Sequence, residues 1–287
     1  MTSKPHDRQK NYLLDGYHIP ALIDMGVFSK DGHLLKPMQN KYKQINRYLE
    51  MINDTLEGVT HLNVVDFGCG KSYLTFVLYY FLTHVKGIST QMIGIDLKTD
   101  VIANCQSASQ KYGYDASLKF IVGDVAQVPD QLFTDTFGET SATAPVMVVS
   151  LHACNTATDH CLHFAIKAKA HSVFVAPCCQ HELKQQMTGD GVKILTRHGI
   201  VKDRVAALMT DTIRANLLSA CGYKTNVMEF VELAHTPKNL LIRGIQTKMP
   251  HKDKQMYLQE VKALCEQFSL SPTLFNLLEG YLTHDKN

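Results

Sequence analysis

The chain contains 287 residues, of which 45% are hydrophobic and 20% are charged, an ordinary composition for a soluble globular protein. Its net charge of +2 is too small to indicate a nucleic-acid partner, although a local basic patch is compatible with it. The N-terminus lacks the apolar core of a signal peptide and no run approaches a membrane span, so we expect a cytoplasmic protein with reduced cysteines and no membrane partner.

Residues 1–60 are interpreted as an N-terminal accessory helical segment. The run KPMQNKYKQINRYLEMINDTL places apolar side chains at helical spacing, namely Ile45, Tyr48, Leu49 and Ile52. Three basic residues lie on or near this predicted helix: Lys41, Lys43 and Arg47. They form either a solvated face or a basic edge that faces the substrate.

Residues 61–247 alternate short apolar runs with longer amphipathic ones. The predicted strands are LNVVDF, QMIGID, LKFIVGD, PVMVVSL and SVFVAP. The predicted helices are KSYLTFVLYYFLTHV, VIANCQSASQKYG and GIVKDRVAALMTDTIRANLLSACGY, the last with Val205, Leu208, Ile213 and Leu217 on its inner side. Strands that alternate with helices indicate right-handed βαβ units and a parallel sheet covered on both faces.

The remaining elements close the sheet and extend beyond it. TNVMEFVEL and NLLIRGIQT, joined by AHTPK, are predicted to form an antiparallel pair at one edge. Residues 248–287 are interpreted as a C-terminal helical tail with two helices. The second is predicted to begin with Ser271 as its N-cap and Pro272 in its first turn.

The stretch VVDFGCGKSYL indicates a ligand site at the end of the first strand of residues 61–247. Gly68 and Gly70 allow a tight turn and a close approach of the backbone to a ligand. Tyr73 stands where a dinucleotide fingerprint has its third glycine, and the carboxylate of Asp66 would repel a pyrophosphate. A ligand with both an amine and a carboxylate fits this turn better, as in the methionine end of S-adenosylmethionine.

Two more acidic residues end the next two predicted strands. Asp96 ends MIGID, where a carboxylate can accept hydrogen bonds from both ribose hydroxyls. Asp124 ends FIVGD, where a carboxylate can accept from the adenine amino group. Each could be an ordinary turn residue, but three such residues at successive strand ends together with the glycine turn predict a nucleoside site.

With these motifs, residues from about 60 to 247 resemble class I S-adenosylmethionine-dependent methyltransferases. The resemblance implies an α/β fold with a Rossmann-like, doubly wound, seven-stranded, mostly parallel sheet and one antiparallel closing strand. It also implies S-adenosylmethionine as the cofactor. The cofactor-binding residues are then expected to be Asp66, Gly68, Cys69, Gly70, Asp96, Asp124 and Ser150.

Two histidine- and cysteine-containing stretches follow the fourth and fifth strands. SLHACNTATD (150–159) stands where many such enzymes have a D/N-P-P-Y/F box, and APCCQHEL (176–183) follows the next strand. With HTPKN (235–239), these stretches resemble a subgroup that includes the methyltransferase domain of the glutathione S-transferase C-terminal-domain-containing protein. They resemble eukaryotic tRNA 2′-O-methyltransferases with a PCCHH-like stretch more distantly.

Three roles are open for the residues that these neighbouring strand ends bring together. A histidine could act as a general base, cysteine and histidine could bind zinc, or the cysteines could be small packing residues. Cys178 and Cys179 lack the usual two-residue spacer of zinc sites, so no metal ligand is assigned. The catalytic candidates are His152, first, and then Cys178 and His181.

Two further pairs have a functional and a structural interpretation. Asp211 and Arg214 are expected to form an ion pair within one helix. Lys238 and Asn239 either reach the methyl acceptor or shape a turn.

The sequence therefore predicts a methyltransferase that uses S-adenosylmethionine, with RNA (tRNA or rRNA) as its acceptor. The RNA hypothesis depends on the distant tRNA-methyltransferase resemblance and on four basic residues: Lys41, Lys43, Arg47 and Lys238. Alternatives are a protein or small-molecule acceptor, or a module that binds the cofactor without turnover. A dehydrogenase is disfavoured by Asp66 and Tyr73.

Overall fold

The β-branched and apolar runs form seven strands of one sheet in a computed structural model that describes residues 12–141, 143–151, 153–188, 193–229 and 240–284. The strands are β1 His61–Phe67, β2 Ser89–Asp96, β3 Leu118–Val122, β4 Val146–Ser150, β5 Ser172–Val175, β6 Tyr223–Glu229 and β7 Leu240–Gln246. Their order is β3-β2-β1-β4-β5-β7-β6, and β7 runs antiparallel to both β5 and β6. The predicted doubly wound, mostly parallel sheet with an antiparallel closing strand is confirmed.

Twelve α-helices are present among the described residues. They are α1 Pro20–Asp24, α2 Gln39–Asn53, α3 Tyr73–Tyr80, α4 Thr99–Lys111, α5 Leu132–Phe137, α6 Ala157–Lys167, α7 Glu182–Gln186, α8 Lys193–Thr196, α9 Gly199–Ala220, α10 His251–Phe268, α11 Thr273–Leu277 and α12 Glu279–His284. A π-helical turn, Phe81–Val85, continues α3. In the described part of the chain, no helix combines the length and apolar character needed to cross a membrane.

The sheet is buried on both faces by two separate cores. Along β1, Leu62 and Val64 belong to one core, whereas Val65 and Phe67 belong to the other, as strand alternation requires. The first core contains the inner side of α2, and the second contains side chains of α6, α9, α10 and α11. The N-terminal and C-terminal helical extensions therefore cover opposite faces of the sheet.

Two local expectations differ from the structure. Leu208 is 56% exposed, because it lies about 140° around α9 from the buried Ile213 at the helical rotation of about 100° per residue. In the tail, α11 begins at Thr273 with Pro272 as its N-cap, and Ser271 makes no side-chain cap. The segment after α10 also forms two short helices, α11 and α12, instead of the single helix expected.

Candidate active site

A cavity of about 1030 Å³ lies at the carboxyl ends of the parallel strands. Its walls come from the turns after β1, β2, β3, β4 and β5, with α2 on one side. β1 lies between β2 and β4, so the strand order reverses at this point. Open α/β sheets bind their ligands in the crevice that such a reversal creates.

The glycine turn after β1 adopts backbone conformations that favour glycine. Gly68 and Gly70 have φ values of +66° and +52°, in the left-handed region. The N–H groups of Gly68 and Cys69 donate to the Ile95 carbonyl at 2.9 and 3.1 Å, which fixes the turn against β2. The turn then leads into α3 at Tyr73. A ligand can approach the backbone closely here.

Asp66 lies in the floor of this cavity and is only 4% exposed. Its carboxylate accepts a hydrogen bond from the Thr75 hydroxyl at 2.6 Å. Burial raises the pKa of Asp66 to about 7, and the nearby charge of Asp96 contributes in the same direction. A buried carboxyl that lacks a cationic partner among the described residues is suited to a cationic ligand group such as an ammonium.

Asp96 and Asp124 line the same cavity. The Asp96 carboxylate accepts from the N–H groups of Gly70 and Lys98, both at 3.0 Å. The Asp124 carboxylate accepts from the Ala126 N–H at 2.9 Å and is otherwise exposed. A carboxylate offers about four lone-pair sites, so the two backbone bonds orient Asp96 and leave acceptor capacity for two hydroxyls.

Two other predicted cofactor residues differ in their placement. Cys69 lines the cavity, and burial raises the pKa of its thiol, which therefore stays neutral. Ser150 is 1% exposed and does not line the cavity, because its hydroxyl donates to the Phe67 carbonyl at 2.8 Å and ties β4 to β1.

The N-terminal helix α2 supplies a wall that the sequence did not assign to the cofactor site. Four of its residues line the cavity: Lys41, Gln44, Ile45 and Tyr48. The Lys41 Nζ lies 4.7 Å from the ring centroid of Tyr73, at the start of α3. Arg47 instead forms an exposed ion pair with Glu50 at 3.2 Å. The spacing of apolar residues predicted this helix, but it could not show that residues of the helix line the cavity.

The cysteines that follow β4 and β5 do converge. Cys154 Sγ lies 3.0 Å from Cys178 Sγ, which lies 3.7 Å from Cys179 Sγ. Burial, with the neighbouring Cys154 and Cys179, raises the pKa of Cys178 to about 12, so this thiol is neutral at physiological pH. Cys154 and Cys178 also line the cavity.

Of the predicted histidines and closing-hairpin residues, the structure describes His181. The His181 side chain is exposed, and its backbone N–H donates to the Asn155 Oδ1 at 3.1 Å. His152, HTPKN, Lys238 and Asn239 lie outside the described residues.

A buried ionic network lies beneath the two cysteine loops, which are the loops after β4 (with Cys154) and after β5 (with Cys178 and Cys179). The sequence predicted only part of this network. The expected pair is confirmed, with Arg214 Nη1 3.2 Å from Asp211 Oδ1. Arg214 also forms a two-pronged contact with Asp159, at 3.0 and 2.5 Å, and donates to the Asn155 carbonyl at 2.8 Å. Burial raises the pKa of Asp211 to about 6, against the lowering effect of Arg214. Asp159, the last residue of the stretch SLHACNTATD, is therefore a counter-ion of Arg214.

Comparison with known proteins agrees with this geometry. A family model for a methyltransferase domain matches residues 40–186. The human glutathione S-transferase C-terminal domain-containing protein is 24% identical over 264 aligned residues, which cover 82% of this chain. The aligned region covers 37% of that human protein, so the chain spans little more than a third of its length.

Solved structures align with this chain at low sequence identity and with TM-scores below 0.5. A Methanococcus maripaludis protein, described as an S-adenosyl-L-methionine-dependent methyltransferase, is 12% identical with a TM-score of 0.44. That match covers 80% of this chain and 91% of the other. The geranyl diphosphate C-methyltransferase of Streptomyces coelicolor A3(2) is 10% identical with a TM-score of 0.42, and the match covers 70% and 80% of the two chains.

Proposed function

Since the chain belongs to the methyltransferase-domain family, with a domain of the S-adenosylmethionine-dependent kind, we propose that the protein transfers the methyl group of this cofactor to RNA. The cofactor is supported by the family and by the cavity. The RNA acceptor, the roles of individual residues and a cytoplasmic location are parts of this proposal.

The observation that carries the proposal is the row of carboxylates beside the glycine turn. Asp66 would hold the ammonium group, because its buried carboxyl gains a counter-ion there. The backbone of Gly68 and Gly70 would lie against the methionine moiety, and Asp96 would accept from the ribose hydroxyls. Asp124 would accept from the adenine amino group at the exposed end.

The bound cofactor would supply an electrophilic methyl group on a sulfonium. The protein would hold the acceptor beside it, and proximity would account for much of the rate. His152 is the first candidate for the base that removes a proton from the acceptor, and His181 is the second. Because its pKa is raised when no metal is bound, the Cys178 thiol is not assigned the role of a base.

Lysines at the cavity support an RNA acceptor. Lys41, Lys71 and Lys98 line it and come from α2, the glycine turn and the turn after β2. Lys43 is also exposed on α2, but it lies two positions, or about 200° around the helix, from Lys41 and does not line the cavity. Phosphate contacts from such residues provide salt-dependent affinity for nucleic acid without requiring a large net charge. Arg47 contributes less, because it pairs with Glu50.

The test uses methyl-labelled S-adenosylmethionine, purified protein and extract from cells that lack this gene. We expect label that ribonuclease removes and protease does not. Label removed only by protease would make the acceptor a protein, and label in small metabolites would make it a small molecule. Cofactor binding without label in any fraction would indicate a binding module.

Two variants connect the label to the site. Asp96→Ala should abolish both cofactor binding in calorimetry and labelling, because the ribose loses its acceptor. Asp253→Ala is the matched control, since Asp253 is an exposed acidic residue in the first turn of α10, outside the cavity. It should leave both unchanged.

A further inference from the structure

Three thiols meet at the edge of the cavity from two different loops. Cys154 follows β4, whereas Cys178 and Cys179 follow β5. Their sulfur atoms all lie within 4.8 Å of one another, with separations of 3.0 Å from Cys154 to Cys178 and 3.7 Å from Cys178 to Cys179. Among the described residues, these three thiols form a cluster of soft metal ligands that are not needed to bind the cofactor.

These separations fit one metal ion. A tetrahedral zinc ion with sulfur ligands at about 2.3 Å places the ligands roughly 3.8 Å apart. The observed sulfur separations, 3.0 and 3.7 Å with an upper limit of 4.8 Å, bracket this value. Small side-chain rotations would therefore bring all three sulfurs into the coordination sphere.

The loops that carry the thiols are held together by hydrogen bonds. The Asn155 N–H donates to the Cys179 carbonyl at 3.1 Å, and the Asn155 Oδ1 accepts from the N–H groups of His181 and Glu182. Arg214, itself 2% exposed, donates to the Asn155 carbonyl at 2.8 Å. Supporting contacts of this kind orient metal ligands before the ion arrives.

We propose that Cys154, Cys178 and Cys179 bind one Zn²⁺ as thiolates, with the fourth position on the side of the cavity. Cys154 and Cys178 line the cavity, so a water molecule or an acceptor group could complete the coordination. As each zinc–sulfur bond forms, the thiol releases its proton to solvent, and no atom changes oxidation state.

The missing spacer between Cys178 and Cys179 does not argue against this site. Although these two residues are adjacent in one loop, their sulfur atoms lie 3.7 Å apart, close to the separation that a tetrahedral zinc ion requires. Reduced thiolates select zinc among the common divalent ions. The site is independent of which molecule accepts the methyl group.

The test is metal binding by the full chain, purified with reductant and freed of metal by a chelator. We expect one equivalent of Zn²⁺ in competition with a chromogenic chelator. We also expect a thiolate-to-metal charge-transfer band when Co²⁺ is used as a spectroscopic probe. Neither readout requires methyl-transfer activity, so failure here and failure of the proposed function can be distinguished.

Variants assign the ligands. The triple variant Cys154→Ser, Cys178→Ser, Cys179→Ser should bind no Zn²⁺ while keeping the far-ultraviolet circular dichroism of the parent. Cys265→Ala is the matched control, because Cys265 is a buried cysteine on α10, and it should keep one equivalent. The Co²⁺ spectrum of the parent chain decides the ligand type if the triple variant does not fold.

Three results would overturn the proposal. The first is a triple variant that retains the metal. The second is a reduced parent chain that binds no Zn²⁺ at micromolar concentration. The third is a Cys154–Cys178 disulfide that mass spectrometry finds in place of the metal in protein purified without reductant.

Discussion

At the scale of single residues, Asp66 couples cofactor binding to protonation. Its pKa of about 7 means that the carboxyl is largely neutral below pH 7 in the free protein. An ammonium group favours the ionised form, so we expect the affinity for S-adenosylmethionine to rise as the pH approaches 7 and then to level off. The rise should be about tenfold per pH unit at most. Calorimetry across this range measures it.

The control for this pH dependence is Asp66→Asn, which keeps the shape of the side chain but cannot ionise. It should bind the cofactor more weakly and with a flat pH profile. An equal slope in the variant and the parent would place the titrating group elsewhere.

The raised pKa of Asp66 also affects the free energy of unfolding. This free energy falls as pH rises, whereas the affinity for the cofactor increases. Between the ordinary aspartate pKa of about 4 and the folded-state pKa of about 7, the native protein holds a proton that the unfolded chain has released. The free energy of unfolding should therefore fall as pH rises through this window, by on the order of 4 kcal/mol from this group. Urea denaturation at pH 5 and pH 8 covers two of these three pH units and should show a fall of about 3 kcal/mol. Asp66→Asn should reduce it.

At the scale of elements, Gly94 lets β2 pack beneath the glycine turn. A Cβ atom on Gly94 would lie 2.6 Å from the Phe120 ring and 3.1 Å from the Cys69 sulfur. Gly94→Ala should destabilise the protein by about 1–3 kcal/mol, as overpacking does. It should also weaken cofactor binding, because Cys69 must move. Thermal denaturation and calorimetry measure the two effects.

Gly199→Ala is the matched control for that substitution. Gly199 begins α9, and a Cβ atom there would meet nothing within 4 Å. It should change stability by a few tenths of a kcal/mol or raise it slightly. A similar loss in both variants would mean that packing under the turn is not the cause.

The Arg214 network holds the two cysteine loops over α6 and α9. Arg214→Met would leave Asp159 and Asp211 buried without their cation, which should cost about 3–5 kcal/mol in urea denaturation. Part of the loss should be recovered at low pH, where the carboxyls take up protons. Arg204→Met, at an exposed site on α9, should cost little, and equal losses would contradict the assignment.

The elements that could be predicted are those that local pattern and chain direction determine. Asp66, Asp96 and Asp124 were identifiable because each follows a strand, and parallel strands end at one edge of the sheet. The contact of Asp159 with Arg214 was not, because it joins residues 55 positions apart through the packing of α6 on α9. The role of α2 as a cavity wall also depends on tertiary packing that periodicity does not encode. The hydrogen bond from the Ser150 hydroxyl to the Phe67 carbonyl likewise depends on tertiary packing.

At the scale of the whole molecule, the helical extensions are part of the two cores. Leu274, on α11, is fully buried against the second core, whereas Leu208 is 56% exposed. Leu274→Ala should therefore cost about 2–5 kcal/mol and Leu208→Ala less than about 0.5 kcal/mol in urea denaturation. Similar costs would mean that the tail does not contribute to the core as the contacts indicate.

The position of β7 between β5 and β6 has a consequence during synthesis on the ribosome. Strands β1–β5 can pair as soon as they emerge, but β5 then presents an unpaired edge until β7 has been made, about 65 residues later. At about 5–20 residues per second, this interval lasts roughly 3–13 s. The nascent chain is therefore exposed to edge-to-edge aggregation at β5 between the synthesis of β5 and that of β7, and a chaperone on the β5 edge would protect it during this interval.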